Sequence, residues 1–442
     1  LRRALFLFPN LLGHLHPTTR LSRQLVAAGW DVIYCGRQEM VAFTVKSGFK
    51  LYPIESFPVL VNRFAEGDYS PFKAWYLKLL DKWDHKKLKR RREELQQVIQ
   101  KHKPELIFLD NFYYSDFPII YGIDPKIRCV FLNVRFPSAP NEAGIPPSNV
   151  FSFPGFQSKL QWRKRKVHKY LKSLWKTLCY FGKSDHHMLS SMVKKFAVPT
   201  QFSIESKRQY SPAFREVEEW FLFPQQLDFP SQQLAPWQKY VPLGIDPERF
   251  ELLPAALQTF VKKQTEIQDA KLIYCSLGSI SKKQSTLSAG IDLKGFYQKI
   301  IDIAHMQPNW YFAVAIDAEI SKALHNIPPN VFVAPFLPQL YLLKHAALMI
   351  NHGGGSVNEA AYFGVPMLVF PINSKWDFNG NAARVVYHHL GLKASFQDSV
   401  QQISLAISSM LYDPQFKEAA LHKANDLHFA INNFNINTHL SN

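Results

Sequence analysis

Residues 348–360 read Leu348-Met349-Ile350-Asn351-His352-Gly353-Gly354-Gly355-Ser356-Val357-Asn358-Glu359-Ala360. An apolar run ends in three glycines, and a helical pattern starts straight after them. A buried strand that turns into a helix reads this way. The glycines let an anionic group approach the backbone closely. The helix start offers unpaired N–H groups and the positive end of its dipole. His352 can donate to a phosphate oxygen, and Glu359, one to two turns on, can accept two hydroxyls of a ribose. A Gly-rich turn can also join a strand to a helix with no ligand, so the surrounding pattern has to decide.

Outward from this stretch the same rhythm repeats. Short apolar runs lie at Lys271–Leu277, Trp310–Ile316, Asn330–Ala334 and Pro366–Phe370. An earlier series covers Ala4–Phe8, Asp31–Cys35, Glu105–Asp110, Arg128–Asn133 and, more weakly, Glu219–Phe223. Runs of this length separated by helical stretches predict parallel strands buried on both faces. Two such series predict an α/β chain with two doubly wound, Rossmann-like domains facing across a cleft. The expected boundaries are residues 1–241, a linker at 242–270 where prolines cluster, and 271–442. In open α/β sheets ligands sit beyond the carboxyl ends of the strands, which places the site between the domains.

The 442 residues are 47% hydrophobic, 20% charged and 14% aromatic, which excludes a disordered chain, a collagen and a long coiled coil. The four cysteines (Cys35, Cys129, Cys179 and Cys275) are far apart, with no zinc-type spacing, and fit a reducing compartment. Residues 4–12 are expected to be a strand and a turn, not a leader, and the location cytoplasmic.

Charge divides the chain. Residues 1–241 carry 37 Lys and Arg against 20 Asp and Glu, whereas residues 242–442 carry 15 of each. The whole net charge of +17 therefore belongs to the first half. Two long helical stretches concentrate it. Pro71–Lys103 contains Lys86, Lys87, Lys89, Arg90, Arg91 and Arg92; Lys159–Lys176 contains eight cations and no acid. In the second stretch Leu160, Val167, Leu171, Leu174 and Leu178 form one helical stripe flanked by Trp162, Tyr170 and Trp175. That pattern suits a helix lying peripherally on an anionic membrane. The plainer alternative is a stripe packed on the core beneath solvated lysines. No nucleic-acid-binding motif accompanies the cations.

Three segments carry a family resemblance. Phe336-Leu337-Pro338-Gln339, the His352–Glu359 stretch, Gly364-Val365-Pro366 and Asp377 resemble the donor signature of the family 1 UDP-glycosyltransferases, here in bacterial form. Gly13-His14-Leu15-His16-Pro17 resembles the turn after their first strand. Ser276-Leu277-Gly278-Ser279 resembles the turn that opens their second domain. The resemblance implies the GT-B fold and an inverting, metal-independent transfer of a sugar from a UDP-sugar to a hydroxyl of a small lipophilic acceptor. The UDP-sugar is a co-substrate, and no cofactor or metal is implied. Phe336 would stack on the uracil and Gln339 contact the nucleoside. His352 and Ser356, with Gly353, Gly354 and Gly355, would hold the diphosphate, joined by Ser279 from the opposite turn. Glu359 would bind the ribose and Asp377 the sugar hydroxyls. His14 would be the general base and Asp110 its partner. The interval from His352 to Glu359 is one residue shorter than usual in the family, and Phe378 replaces the usual Gln, so one hydrogen bond to the sugar is missing.

The dyad has its own physical warrant. An imidazole near pKa 6.5 can take a proton from an attacking hydroxyl, and a carboxylate at a strand end can hold its other N–H. His16 and Asp116 are the rival choices. Two other functions compete: a UDP-sugar epimerase on the same architecture, and a non-catalytic protein that uses its basic face on a membrane or nucleic acid.

Overall fold

The computed structural model describes residues 2–61, 69–205, 208–278 and 290–440. Its first sheet contains β1 (Arg2–Leu7), β2 (Trp30–Gly36), β3 (Lys50–Pro53), β4 (Leu106–Asp110) and β5 (Arg128–Asn133). A two-stranded antiparallel hairpin follows, β6 (Ile204–Glu205) with β7 (Ala213–Phe214). β8 (Glu218–Phe221) and β9 (Gln238–Tyr240) then complete the first sheet in the order β3-β2-β1-β4-β5-β8-β9. The second sheet holds β10 (Lys271–Ser276), β11 (Trp310–Ala315), β12 (Val331–Ala334), β13 (Leu348–Asn351), β14 (Met367–Val369) and β15 (Gly391–Lys393). Its order is β12-β11-β10-β13-β14-β15. Every pairing within these two sheets is parallel.

The architecture is two Rossmann-like α/β domains. The central strands are the apolar runs of the sequence, and Leu5 pairs with Ile33 on one side and Ile107 on the other, all fully or almost fully buried. Within the two parallel sheets, the strands that the sequence did not reveal are β3, β9 and β15, all edge strands of mixed polarity; the short hairpin strands β6 and β7 were not expected either. Those edge strands need only one apolar face, so they leave no continuous run.

The helical stretch expected over 71–103 is two helices, Pro71–Trp83 and His85–His102. Asp84 separates them, and its side chain accepts from the Lys86 N–H at the start of the second. The cationic run is only partly solvated, because Lys87 and Arg91 turn inward to the buried carboxylates of Asp81 and Asp116. Helix Ala255–Thr265, inside the expected linker, buries Leu257 and Val261 against Leu272 and Tyr274 of the second domain. At the chain's end Ile436 and Leu440 return to the core of the first domain. Arg128 donates to the carbonyls of His439 and Leu440 and holds them there.

The domains meet over a buried ion pair. Arg384 reaches Asp228 at 2.7–2.8 Å, with the guanidinium packed over Phe136 and Phe229. Asp246 accepts from Thr19 and Arg23 at 2.7 Å. The Gly380 N–H donates to the Ser148 carbonyl, where any Cβ at position 380 would collide with Ser148.

Candidate active site

The cleft is built from strand ends. β1 leads into the short helix Leu12–Leu15, which carries His14, and β4 ends on Asp110. His14 Nδ1 lies 2.6 Å from Asp110 Oδ2. A carboxylate only accepts, so Nδ1 is the donor of this pair, and in the neutral imidazole Nε2 is then the nitrogen with the lone pair. Asp110 is held in turn, since its Oδ1 accepts from the Phe112 N–H at 2.8 Å. The Phe112 ring stacks on His14 with centroids 4.9 Å apart.

Neither rival shares this arrangement. His16 packs edge-on to Phe43, and its Nδ1 is buried without a partner. Burial, then Arg249 and Lys46, push its imidazole down to about 3. Asp116 is committed to Arg91 through several hydrogen bonds inside the first domain.

On the opposite side, β13 delivers His352 into the glycine turn. The ring is folded against two glycines: a Cβ at Gly278 would come within 2.6 Å of it, and one at Gly354 would strike Nε2. Gly353 sits at φ +82°, a conformation that glycine adopts without strain. Its N–H is held by the Asn351 side chain and its carbonyl by Asn381. Burial pushes His352 down to about 4, so it is neutral at pH 7. Among the described residues, His352 Nδ1 and the hydroxyl of Ser356 are buried polar atoms with no hydrogen-bond partner. Two such atoms beside a helix start suit an anion that would satisfy them.

Glu359 lies on helix Ser356–Tyr362 and is already engaged. One oxygen accepts from Arg249 at 2.5 Å and the other from Gln339. Arg249 also reaches Glu251 at 2.7 Å, whose second oxygen accepts from the Leu340 N–H at 2.7 Å. Phe336, three residues before Gln339, is more than half exposed. Ser279 lies outside the described residues.

Phe378 packs into the second domain directly beside His352. Its ring is 4% exposed, belongs to the core with Phe296 and Phe370, and meets His352 edge-to-face at 4.9 Å. The preceding Asp377 accepts from Asn381 at 3.2 Å and lies 3.8 Å from Arg135.

Arg135, two residues past β5, escaped the sequence reading. Its guanidinium lies 4.9–5.1 Å from the ring centroids of Phe112, Tyr210 and Trp376. It therefore links the His14 side of the cleft, through Phe112, to the Asp377 side. Its Nη1 is buried with no hydrogen-bond partner. No motif announces such a residue, since its three rings come from separate segments. A small recess of about 40 Å³ opens beside it, lined by Asn111, Ser138 and Tyr210 among others.

Residues 310–430 match the model of the erythromycin biosynthesis protein CIII-like C-terminal domain. An uncharacterized UDP-glucosyltransferase of Bacillus subtilis (strain 168), YdhE, is 30% identical over 164 residues, 36% of this chain and 38% of that protein. Mouse (Mus musculus) UDP-glucuronosyltransferase 3A1 is 24% identical over 341 residues, 75% of this chain and 60% of its own length. The glycotransferase of kitacinnamycin superposes with a TM-score of 0.68 at 19% identity, covering 97% of this chain and 95% of that one. These similarities support a family 1 UDP-glycosyltransferase of bacterial type. Its architecture is the GT-B fold of those glycosyltransferase structures. The matched stretches span less than two thirds of either curated relative, and no helix among the described residues is long and apolar enough to cross a membrane.

Proposed function

We propose that the cleft transfers a sugar from a UDP-sugar to a hydroxyl of a small lipophilic acceptor, with inversion and without a metal. The observation that carries this reading is the His14–Asp110 pair, set across one cleft from the unsatisfied polar atoms of the His352 turn. Nε2 of His14 takes the acceptor's proton as the oxygen attacks C1 of the sugar, and Asp110 stabilises the imidazolium that forms. The bond from C1 to the UDP oxygen breaks on the opposite face. The diphosphate's charge falls to His352, Ser356 and the N–H groups of the glycine turn. Phe336 stacks on the base. Glu359 accepts from the ribose, its carboxylate oriented by Arg249 and Gln339. Asp377 holds the sugar hydroxyls, with Arg135 beside it to limit the repulsion of a buried carboxylate.

An epimerase would need acid–base groups around the sugar, whereas His14 lies on the domain opposite the nucleotide turn. The test is incubation with labelled UDP-glucose, UDP-galactose and UDP-N-acetylglucosamine, each with and without an alcohol acceptor. The proposal requires label in a new glycoside. Interconversion of the UDP-sugar alone would favour the epimerase.

A further inference from the structure

Helix Phe156–Cys179 is amphipathic in the reverse of the usual sense. Only Ser158 is buried along its 24 residues. Its polar edge is the one that meets the protein. Arg165 donates to Asn149 at 2.9 Å, Lys169 to the Arg208 carbonyl at 2.9 Å, and Trp162 to the Ile145 carbonyl at 2.7 Å. Lys176 pairs with Asp185 at 3.7 Å. The stripe of Leu160, Val167, Leu171, Leu174 and Leu178 is turned outward and exposed, as is Trp175 at 67%. The stripe is thus not packed on the core.

A second helix extends this surface. Lys82 of Pro71–Trp83 also pairs with Asp185, which ties the two helices together. Phe72, Tyr76, Leu80 and Trp83 are exposed on it. Its single acid, Asp81, is buried on Lys87. Two neighbouring helices therefore present apolar side chains and no exposed carboxylate of their own. Lys159, Arg163, Lys164 and Lys166 lie exposed on the longer one.

We propose that these two helices dock the protein on an anionic lipid bilayer, with the apolar side chains entering the interface and the flanking cations meeting the headgroups. Charge decides the occupant. A second copy of the same surface would place like charges together at every rim position, whereas an anionic bilayer satisfies both the apolar stripe and the cations. The binding is independent of the catalytic reading and can fail or hold without it. The helix is bonded to Ile145 and Asn149, and Asn149 donates to the Ser374 carbonyl near Asp377, so the docked face adjoins the cleft.

Cosedimentation of the full chain with phosphatidylcholine vesicles, with and without phosphatidylglycerol, tests this. Binding is expected only with phosphatidylglycerol, and is lost above about 0.5 M salt, where screening falls to a few ångströms. Replacing Arg163, Lys164 and Lys166 by Gln lowers partitioning by about a hundredfold. Arg165 is left in place because it bonds Asn149. Leu171→Glu with Trp175→Glu, both at exposed positions that cost the fold little, abolishes binding and leaves the far-ultraviolet spectrum unchanged. Equal binding to both vesicle types, binding to neither, or concentration-dependent dimers that the Glu pair dissolves would overturn the proposal.

Discussion

His352 shows what one residue's surroundings decide. Its imidazole is neutral because burial holds it at about 4, against 6.5 in an unfolded chain. Between those values the unfolded chain binds more protons, so stability falls as pH drops from about 6.5 to about 4 and levels off below. His352→Asn removes this contribution, on the order of 3 kcal/mol across that window. Urea unfolding at pH 7 and pH 4.5 checks it: the variant loses less stability between the two values than the parent does. Identical losses would contradict the assignment. The positions of His352 and His14 were legible in the sequence, since His352 follows its apolar run directly and His14 lies in the turn and short helix after the first strand. For Phe378 the sequence shows the ring but not its packing. Its identity is plain from sequence, but which way a first-turn helix residue faces depends on the neighbouring Phe296 and Phe370.

At the scale of elements, helix Ser356–Tyr362 and the segment around Arg249 act together. Glu359 is held by Arg249 from the segment joining the domains and by Gln339 from the helix after β12. Glu359→Ala is expected to weaken UDP binding by about 1.5–3 kcal/mol, since the ribose loses a charged acceptor. Arg249→Ala weakens it less, because the carboxylate stays but loses its fixed direction. Calorimetric titration with UDP measures both, and unchanged affinity in both variants would remove Glu359 from the ribose site. The sequence offered Glu359 through its spacing from His352. It offered nothing for Arg249 or Arg135, because their partners are distant in the chain and meet only after the sheets have formed. The edge strands β3, β9 and β15 went unread for a related cause, since each gains its apolar environment from its neighbours.

Across the whole molecule, the ion pair between Arg384 and Asp228 helps hold the two domains in register. Both side chains are at most 2% exposed. Arg384→Ala leaves a carboxylate buried without its cation, and is expected to cost about 3–5 kcal/mol. Urea denaturation should show the loss, and a cost below about 1 kcal/mol would mean that the interface does not depend on the pair. The two-domain plan was readable because buried parallel strands leave apolar runs in sequence. How the domains face each other was not, because Asp228, Asp246 and Ser148 make their contacts singly, with no repeating pattern.

That facing underlies the central claim, which is that His14 on one domain activates an acceptor for a nucleotide-sugar held by the other. The most direct measurement sets transfer and nucleotide binding side by side in His14→Ala, His16→Ala and the parent protein, with the UDP-sugar panel and an alcohol acceptor. His14→Ala is expected to lower glycoside formation by about 10²–10⁴ while UDP affinity, read by calorimetry, stays within about twofold of the parent. His16→Ala should retain most of the activity, because no carboxylate holds its ring. A fully active His14→Ala, or a loss confined to His16→Ala, would contradict it.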